Sequence, residues 1–247
     1  MKVTSLIRIG KEKEICDDAV YNGNTVKTSD SDDVYESVNV SWIAVADGVG
    51  GNAGGHDASS FLMDYISDNY YINNTEEDIR SILKSANEQL IRNAESIKGK
   101  EKMATTFTGM FFGTEDVKIA HAGNTRIYFL QGKYLKQRTT DHTTYHWLKM
   151  QGNYEAAERC NKSEITSCFG GGDNNLLKFL TVETLLMDEI PDIFVITSDG
   201  IHDYIDIDTF EDILNDQISD KEKTEKLLKA ARENGSCDDC SVIIIRR

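Results

Sequence analysis

Residues 45–59 read "VADGVGGNAGGHDAS". An aspartate, Asp47, closes an apolar run, "VSWIAVA" (40–46), whose β-rich composition predicts a buried strand. Gly48, Gly50, Gly51, Gly54 and Gly55 follow, and then Ala58, Phe61, Leu62, Tyr65 and Ile66 recur at helical spacing. The stretch is therefore a strand, a turn almost free of side chains, and a helix. A carboxylate sits at the strand tip, where a backbone without side chains can approach an ion and offer its carbonyls.

The same arrangement recurs along the chain. Asp17 and Asp18 stand in "EICDDAVY", Asp199 ends "DIFVIT" (192–197) within "ITSDGIHD", and Asp238 and Asp239 precede "SVIII" (241–245). One Asp-Gly alone is turn chemistry. Several carboxylates gathered at one edge of a sheet core repel one another, and such a cluster persists only if protonated or bound to a cation. Hard oxygen donors without a His/Cys set select Mg²⁺ or Mn²⁺ over zinc.

Composition narrows the class. The chain has 247 residues, 39% of them hydrophobic, which suits one domain with its own core; a single proline, Pro191, and no biased linker or repeat divide it. Asp and Glu outnumber Lys and Arg by 42 to 27, a net charge of −15, which argues against a nucleic-acid or membrane-surface binder. No apolar run is long enough to span a bilayer, and "MKVTSLIRIG" has no signal-peptide pattern, so a cytoplasmic protein is expected. Cys237 and Cys240 form one CxxC without a second pair, which speaks for reduced, packed thiols and against zinc.

Thr75 with Asp78, and Ser219 with Glu222, predict capping boxes at the start of two helices, the first carrying Ile79, Ile82, Leu83, Ala86 and Leu90. Helices are expected at about 208–217 and 220–233, the latter ended by Gly235. Between 105 and 137, short strands separated by glycine turns predict an antiparallel meander. Residues 143–175 are polar and weakly periodic, a candidate flap. Strand groups and helix pairs alternate in blocks, which predicts an α+β architecture with packed sheets and helix pairs outside.

Taken in order, "KEKEICDDAVYNG", "VADGVGGNAGGHDAS", "ATTFTGMFF", "HAGNTRIYFL", "TTDHTTY", "ITSDGIHDYI" and "SCDDCSVIII" resemble the motifs of the metal-dependent protein phosphatases, the protein phosphatase 2C family, in its bacterial form. The resemblance runs from about residue 8 to 247. It implies a four-layer αββα sandwich of two antiparallel sheets flanked by helix pairs. It implies a serine/threonine phosphatase that uses two Mn²⁺ or Mg²⁺ ions to activate a water, acting on phosphoproteins against an opposing kinase, as a monomer.

Residue by residue, it implies that Asp47 bridges the two ions and Gly48 offers its carbonyl. Asp199 and Asp238 complete one ion's protein ligands, and the opening pair Asp17–Asp18, chiefly Asp18, serves the other. Lys13 stands where the family places a phosphate-binding Arg, so recognition would rest on a point charge without the bidentate fork. Asp203 matches a partner of a third, weakly held ion, but Asn124 replaces that site's other acid and argues against it. His121 and His142 read as structural. The competing reading is a catalytically weak relative that binds phosphoproteins or a partner as a regulator; Asn124 and Lys13 are its only support, and the retained acids count against it.

Overall fold

The computed structural model describes residues 1–28, 34–49 and 54–247. Gly50 and Gly51, two of the glycines of the opening stretch, lie outside the described residues.

In chain order the strands and helices are β1 (Lys2–Arg8), β2 (Asp18–Tyr21), β3 (Val26–Lys27), β4 (Val34–Val38), β5 (Trp42–Asp47), α1 (Gly55–Asn69), α2 (Glu76–Glu95), β6 (Ala104–Thr105), β7 (Phe107–Phe112), β8 (Asp116–Ala122), β9 (Arg126–Gln131) and β10 (Tyr134–Gln137). Then come α3 (Thr144–Met150), α4 (Tyr154–Arg159), β11 (Phe169–Gly170), β12 (Thr181–Leu186), β13 (Ile193–Thr197), α5 (Asp199–His202), α6 (Ile207–Asn215), α7 (Asp220–Glu233) and β14 (Cys240–Arg246).

Two six-stranded sheets carry the fold, in the orders β10-β9-β13-β14-β1-β4 and β12-β8-β7-β5-β2-β3, and β6 with β11 forms a small ribbon. The pairings are antiparallel, as expected. Strand alternation sorts the apolar residues into three cores. Ile43 and Val45 of β5 meet Ile243 and Ile245 of β14 between the sheets. Trp42, Ala44 and Ala46 face the other way, against Leu62 and Ile66 of α1 and Leu83 and Leu90 of α2. Val242 and Ile244 face Phe210 and Leu214 of α6 and Leu227 of α7. Helix pair, sheet, sheet, helix pair is the four-layer sandwich.

Both expected capping boxes are present, Thr75 with Asp78 at α2 and Ser219 with Glu222 at α7. The expected meander differs in one respect. β7 and β8 pair in one sheet while β9 and β10 belong to the other, so the chain changes sheet at Gly123–Thr125. β1 and β12 were not anticipated. Thr4 and Ser5 of β1 are buried, and these polar residues inside a central strand interrupt the apolar run by which a buried strand is recognised.

Candidate metal centre

The sandwich brings strand ends from both sheets to one edge. In the β2–β5 pair Asp18 lies directly opposite Asp47. From the other sheet, Asp199 follows β13 and Asp238 precedes β14. The Ser241 hydroxyl of β14 donates to Asp18 Oδ2 at 2.6 Å, and Ser241 N donates to Ser198 Oγ at 2.9 Å, which ties β2, β13 and β14 together beneath the acids. Asp47 is fixed by its backbone: its N–H donates to Thr106 Oγ1 at 3.0 Å, and its carbonyl accepts from Thr105 Oγ1 at 3.0 Å.

Glycine is required where segments cross. A Cβ on Gly48 would meet the Gly55 carbonyl oxygen at 2.4 Å and the Asp17 carbonyl oxygen at 2.6 Å. On Gly200, the residue after Asp199, it would meet the Asp239 carbonyl oxygen at 1.9 Å. No side chain fits at either place, and this lets the acids before them approach one another.

Burial, then repulsion from Asp199, Asp18 and Asp238, pushes the Asp47 pKa well above the ordinary carboxylate range. Burial and the Asp239 charge push Asp18 up, against hydrogen bonds from Ser241 and Ser198. Burial and Asp238 raise Asp199, against hydrogen bonds from Asn124 and Asp47. Each of the three is driven towards taking up a positive charge, either a proton or a cation. The donors are carboxylate and backbone oxygens, a set that fits a hard divalent ion.

Among the described residues no three His, Cys, Asp or Glu side chains stand as a ready-made cage. Two of the acids are engaged by other groups. Lys13 Nζ donates to Asp238 Oδ1 at 2.7 Å, and Asn124 Nδ2 donates to Asp199 Oδ2 at 3.0 Å. For Lys13, burial works to lower the pKa, but the hydrogen bonds and charges of Asp238 and Asp239 outweigh it and hold the ammonium charged.

The two acids of the opening motif part company. Asp18 joins the inner cluster. Asp17 turns to the start of α1, where Oδ1 accepts from His56 N at 2.9 Å, while Oδ2 lies 3.4 Å from Lys13 Nζ. Asp203 stands one turn beyond Asp199, and burial followed by the Asp199 charge raises its pKa to about 6. Asn124 leaves Oδ1 buried without a hydrogen-bond partner. Sequence reasoning gave no role to Asp239, Ser241 or His56. Ser241 could have been noticed as a polar residue opening an otherwise apolar strand.

The candidate flap holds α3 and α4. Its base is pinned where Thr144 N donates to Glu164 O and Thr166 N to His142 O, at 2.9 and 2.8 Å. Its Tyr145 and Lys162 share a cavity of about 210 Å³ with Asn124, Arg126, Asp141, Thr143 and Asp203. Beneath it His121 and His142 lie with ring centroids 4.7 Å apart. His121 Nε2 donates to Thr140 O at 2.9 Å, and His142 Nδ1 accepts from Gly123 N at 3.2 Å, so both rings are held by backbone groups. Burial lowers the pKa of His121 to about 4 and, together with His121 itself, that of His142 to about 3.

The unfolded chain protonates these rings from about pH 6.5 downward and the folded chain only near 4 and 3, so their contribution is full above pH 6.5 and is lost as pH falls towards 4. His121→Gln is expected to flatten the acid side of the curve of Tm against pH in this window; a slope equal to wild type contradicts a neutral buried imidazole.

The sequence profile of the protein phosphatase 2C family matches residues 11–233. A serine/threonine phosphatase, stp, of Listeria welshimeri is 29% identical over 234 residues, covering 88% of this chain and 89% of its own. Among solved structures, serine/threonine phosphatase Stp1 of Staphylococcus aureus superposes with a TM-score of 0.81 at 21% identity, over 99% of this chain and 94% of that one. The catalytic domain of the phosphatase PstP, solved with two manganese ions, gives 0.75 at 20% identity, over 100% and 99%. The chain belongs to the protein phosphatase 2C family.

Proposed function

We propose that this chain removes phosphate from phosphoserine and phosphothreonine in proteins, at the acid cluster of β2, β5, β13 and β14. The observation that carries the reading is the gathering of Asp18, Asp47 and Asp199 at one edge, Asp18 buried and Asp47 and Asp199 partly so, with their pKa values driven up. Asp47, Gly48, Asp199 and Asp238 would hold one divalent ion, and Asp47 with Asp18, assisted by Asp17, a second. When bound, two such ions supply positive charge to the phosphoryl oxygens and acidify water. We assign Mn²⁺ or Mg²⁺. Asn124 presents a neutral amide where a third site would need a carboxylate, which leaves Asp203 as that site's acid.

The chain's own residues bind and orient. Lys13 places an ammonium beside the cluster for the phosphate. Asn124 holds Asp199 by its Nδ2–H. Water adds to phosphorus, the bond from phosphorus to the serine or threonine oxygen breaks, and that oxygen leaves with a proton. No protein nucleophile takes part. Burial pushes the thiols of Cys168 and Cys240 up, to about 11 and about 12, and that of Cys16 higher still. Replacing any of the five cysteines by Ser is expected to keep kcat within about threefold, whereas loss of a covalent nucleophile costs several orders of magnitude.

The cavity shared by Tyr145, Lys162 and Asp203 supports a flap that meets the substrate. The reading includes one domain over 1–247 and a cytoplasmic monomer acting against a serine/threonine kinase. Among the described residues no helix is long and apolar enough to cross a membrane. The regulator reading is not favoured, because relatives that match most of the chain are named as phosphatases. Release of orthophosphate from a phosphothreonine peptide and from p-nitrophenyl phosphate with Mn²⁺ separates the two. Turnover supports the enzyme; a peptide bound and left intact supports the regulator.

A further inference from the structure

We infer that Asp239 is a positioning residue that aims Lys13 at the phosphate, an inference resting on the phosphatase reading above. Asp239 is 2% exposed and meets three donors. Its Oδ1 accepts from Gly10 N at 2.7 Å, and its Oδ2 accepts from Asp17 N and from Lys13 Nζ, both at 2.8 Å. All three donors belong to the segment 10–17, whereas Asp239 enters from the start of β14. One carboxylate therefore fastens the opening motif to the opposite sheet.

The chemistry demands a carboxylate. Three donors approach from both arms of the side chain, and a carboxylate offers acceptors on both. An asparagine in the same place would turn its NH₂ towards either Gly10 N or the pair Asp17 N and Lys13 Nζ. Lys13 needs such a partner because its charge sits on a flexible four-carbon stem and carries no directional fork. Gly10 leaves room for that stem, since a Cβ there would meet Lys13 Cδ at 3.1 Å and the Cys237 carbonyl oxygen at 2.6 Å.

Lys13 has two other partners, Asp238 at 2.7 Å and Asp17 at 3.4 Å. Both belong to the acids assigned to cations, and Asp238 is half exposed. Both oxygens of Asp239 are occupied by donors from the protein, so it stays with Lys13 when the others turn to cations. It keeps the ammonium beside the cluster while leaving it free to meet a phosphoryl oxygen.

The test is a double-mutant cycle on the manganese-saturated whole chain with D239N, K13M and the double variant. The readouts are KM and kcat on a phosphothreonine peptide, and the Kd of inorganic phosphate by calorimetry. D239N is expected to raise KM and the phosphate Kd about tenfold, the scale of one charge-assisted hydrogen bond, with kcat changed less than about twofold. In the K13M background it is expected to change neither. A tenfold effect that persists without Lys13, or a loss confined to kcat, overturns the positioning role. Asp239→Ser, alone and with K13M, runs the same cycle if D239N melts below the assay temperature. Wild type that binds orthophosphate without releasing it from the peptide fails the phosphatase reading, and the Kd cycle still decides Asp239. Wild type that neither releases orthophosphate from the peptide nor binds it overturns both.

Discussion

Asp47→Asn is expected to lower kcat by at least about a hundredfold, the scale of losing one strong electrostatic contact at a reaction centre. Asp47 is the acid on which the charges of Asp18, Asp199 and Asp238 all act, so no other side chain of the cluster is as central. The variant keeps the size and removes the charge. Its metal-free stability is expected to be unchanged or higher at neutral pH. The raised pKa of Asp47 means that its contribution is present below the ordinary value of 3.8 and is lost as pH rises through the folded value, so at neutral pH this carboxyl weakens the metal-free fold. Turnover and metal-free melting, measured on one preparation, check both halves. Near wild-type kcat would reduce the glycine-rich stretch to a turn. A large fall in metal-free Tm would mean that Asp47 is held by something other than mutual repulsion.

Adding Mn²⁺ to chelator-stripped protein is expected to raise Tm by roughly 5–10 °C at about 100 times Kd, because the ion binds only the folded cluster. The gain has the same origin as the raised pKa values of Asp18, Asp47 and Asp199, which the cation relieves. Asp47→Asn should lose most of this shift. An equal shift in the variant would place the ion elsewhere, and no shift in wild type would deny the cluster a cation.

Much of the acid cluster was legible in the sequence, for a physical reason. A strand that ends in a carboxylate next to glycine shows as an apolar run with a sharp polar edge, and "WIAVADG" and "IFVITSDG" both show it. Helices announced themselves by spacing and by Thr75–Asp78 and Ser219–Glu222, local interactions that need no knowledge of the tertiary fold. Sheet membership did not show. Strands β7 to β9 are almost fully buried on both faces, so their alternation cannot tell which sheet they join. The same holds for Asp239. Its partners Gly10, Lys13 and Asp17 lie more than 200 residues away, and nothing local separates its role from that of Asp238.

The most direct test of the central claim is orthophosphate release from a phosphothreonine peptide by chelator-stripped protein, titrated with Mn²⁺. The account predicts no turnover in chelator and a saturable return with added Mn²⁺. Undiminished turnover in chelator would contradict it.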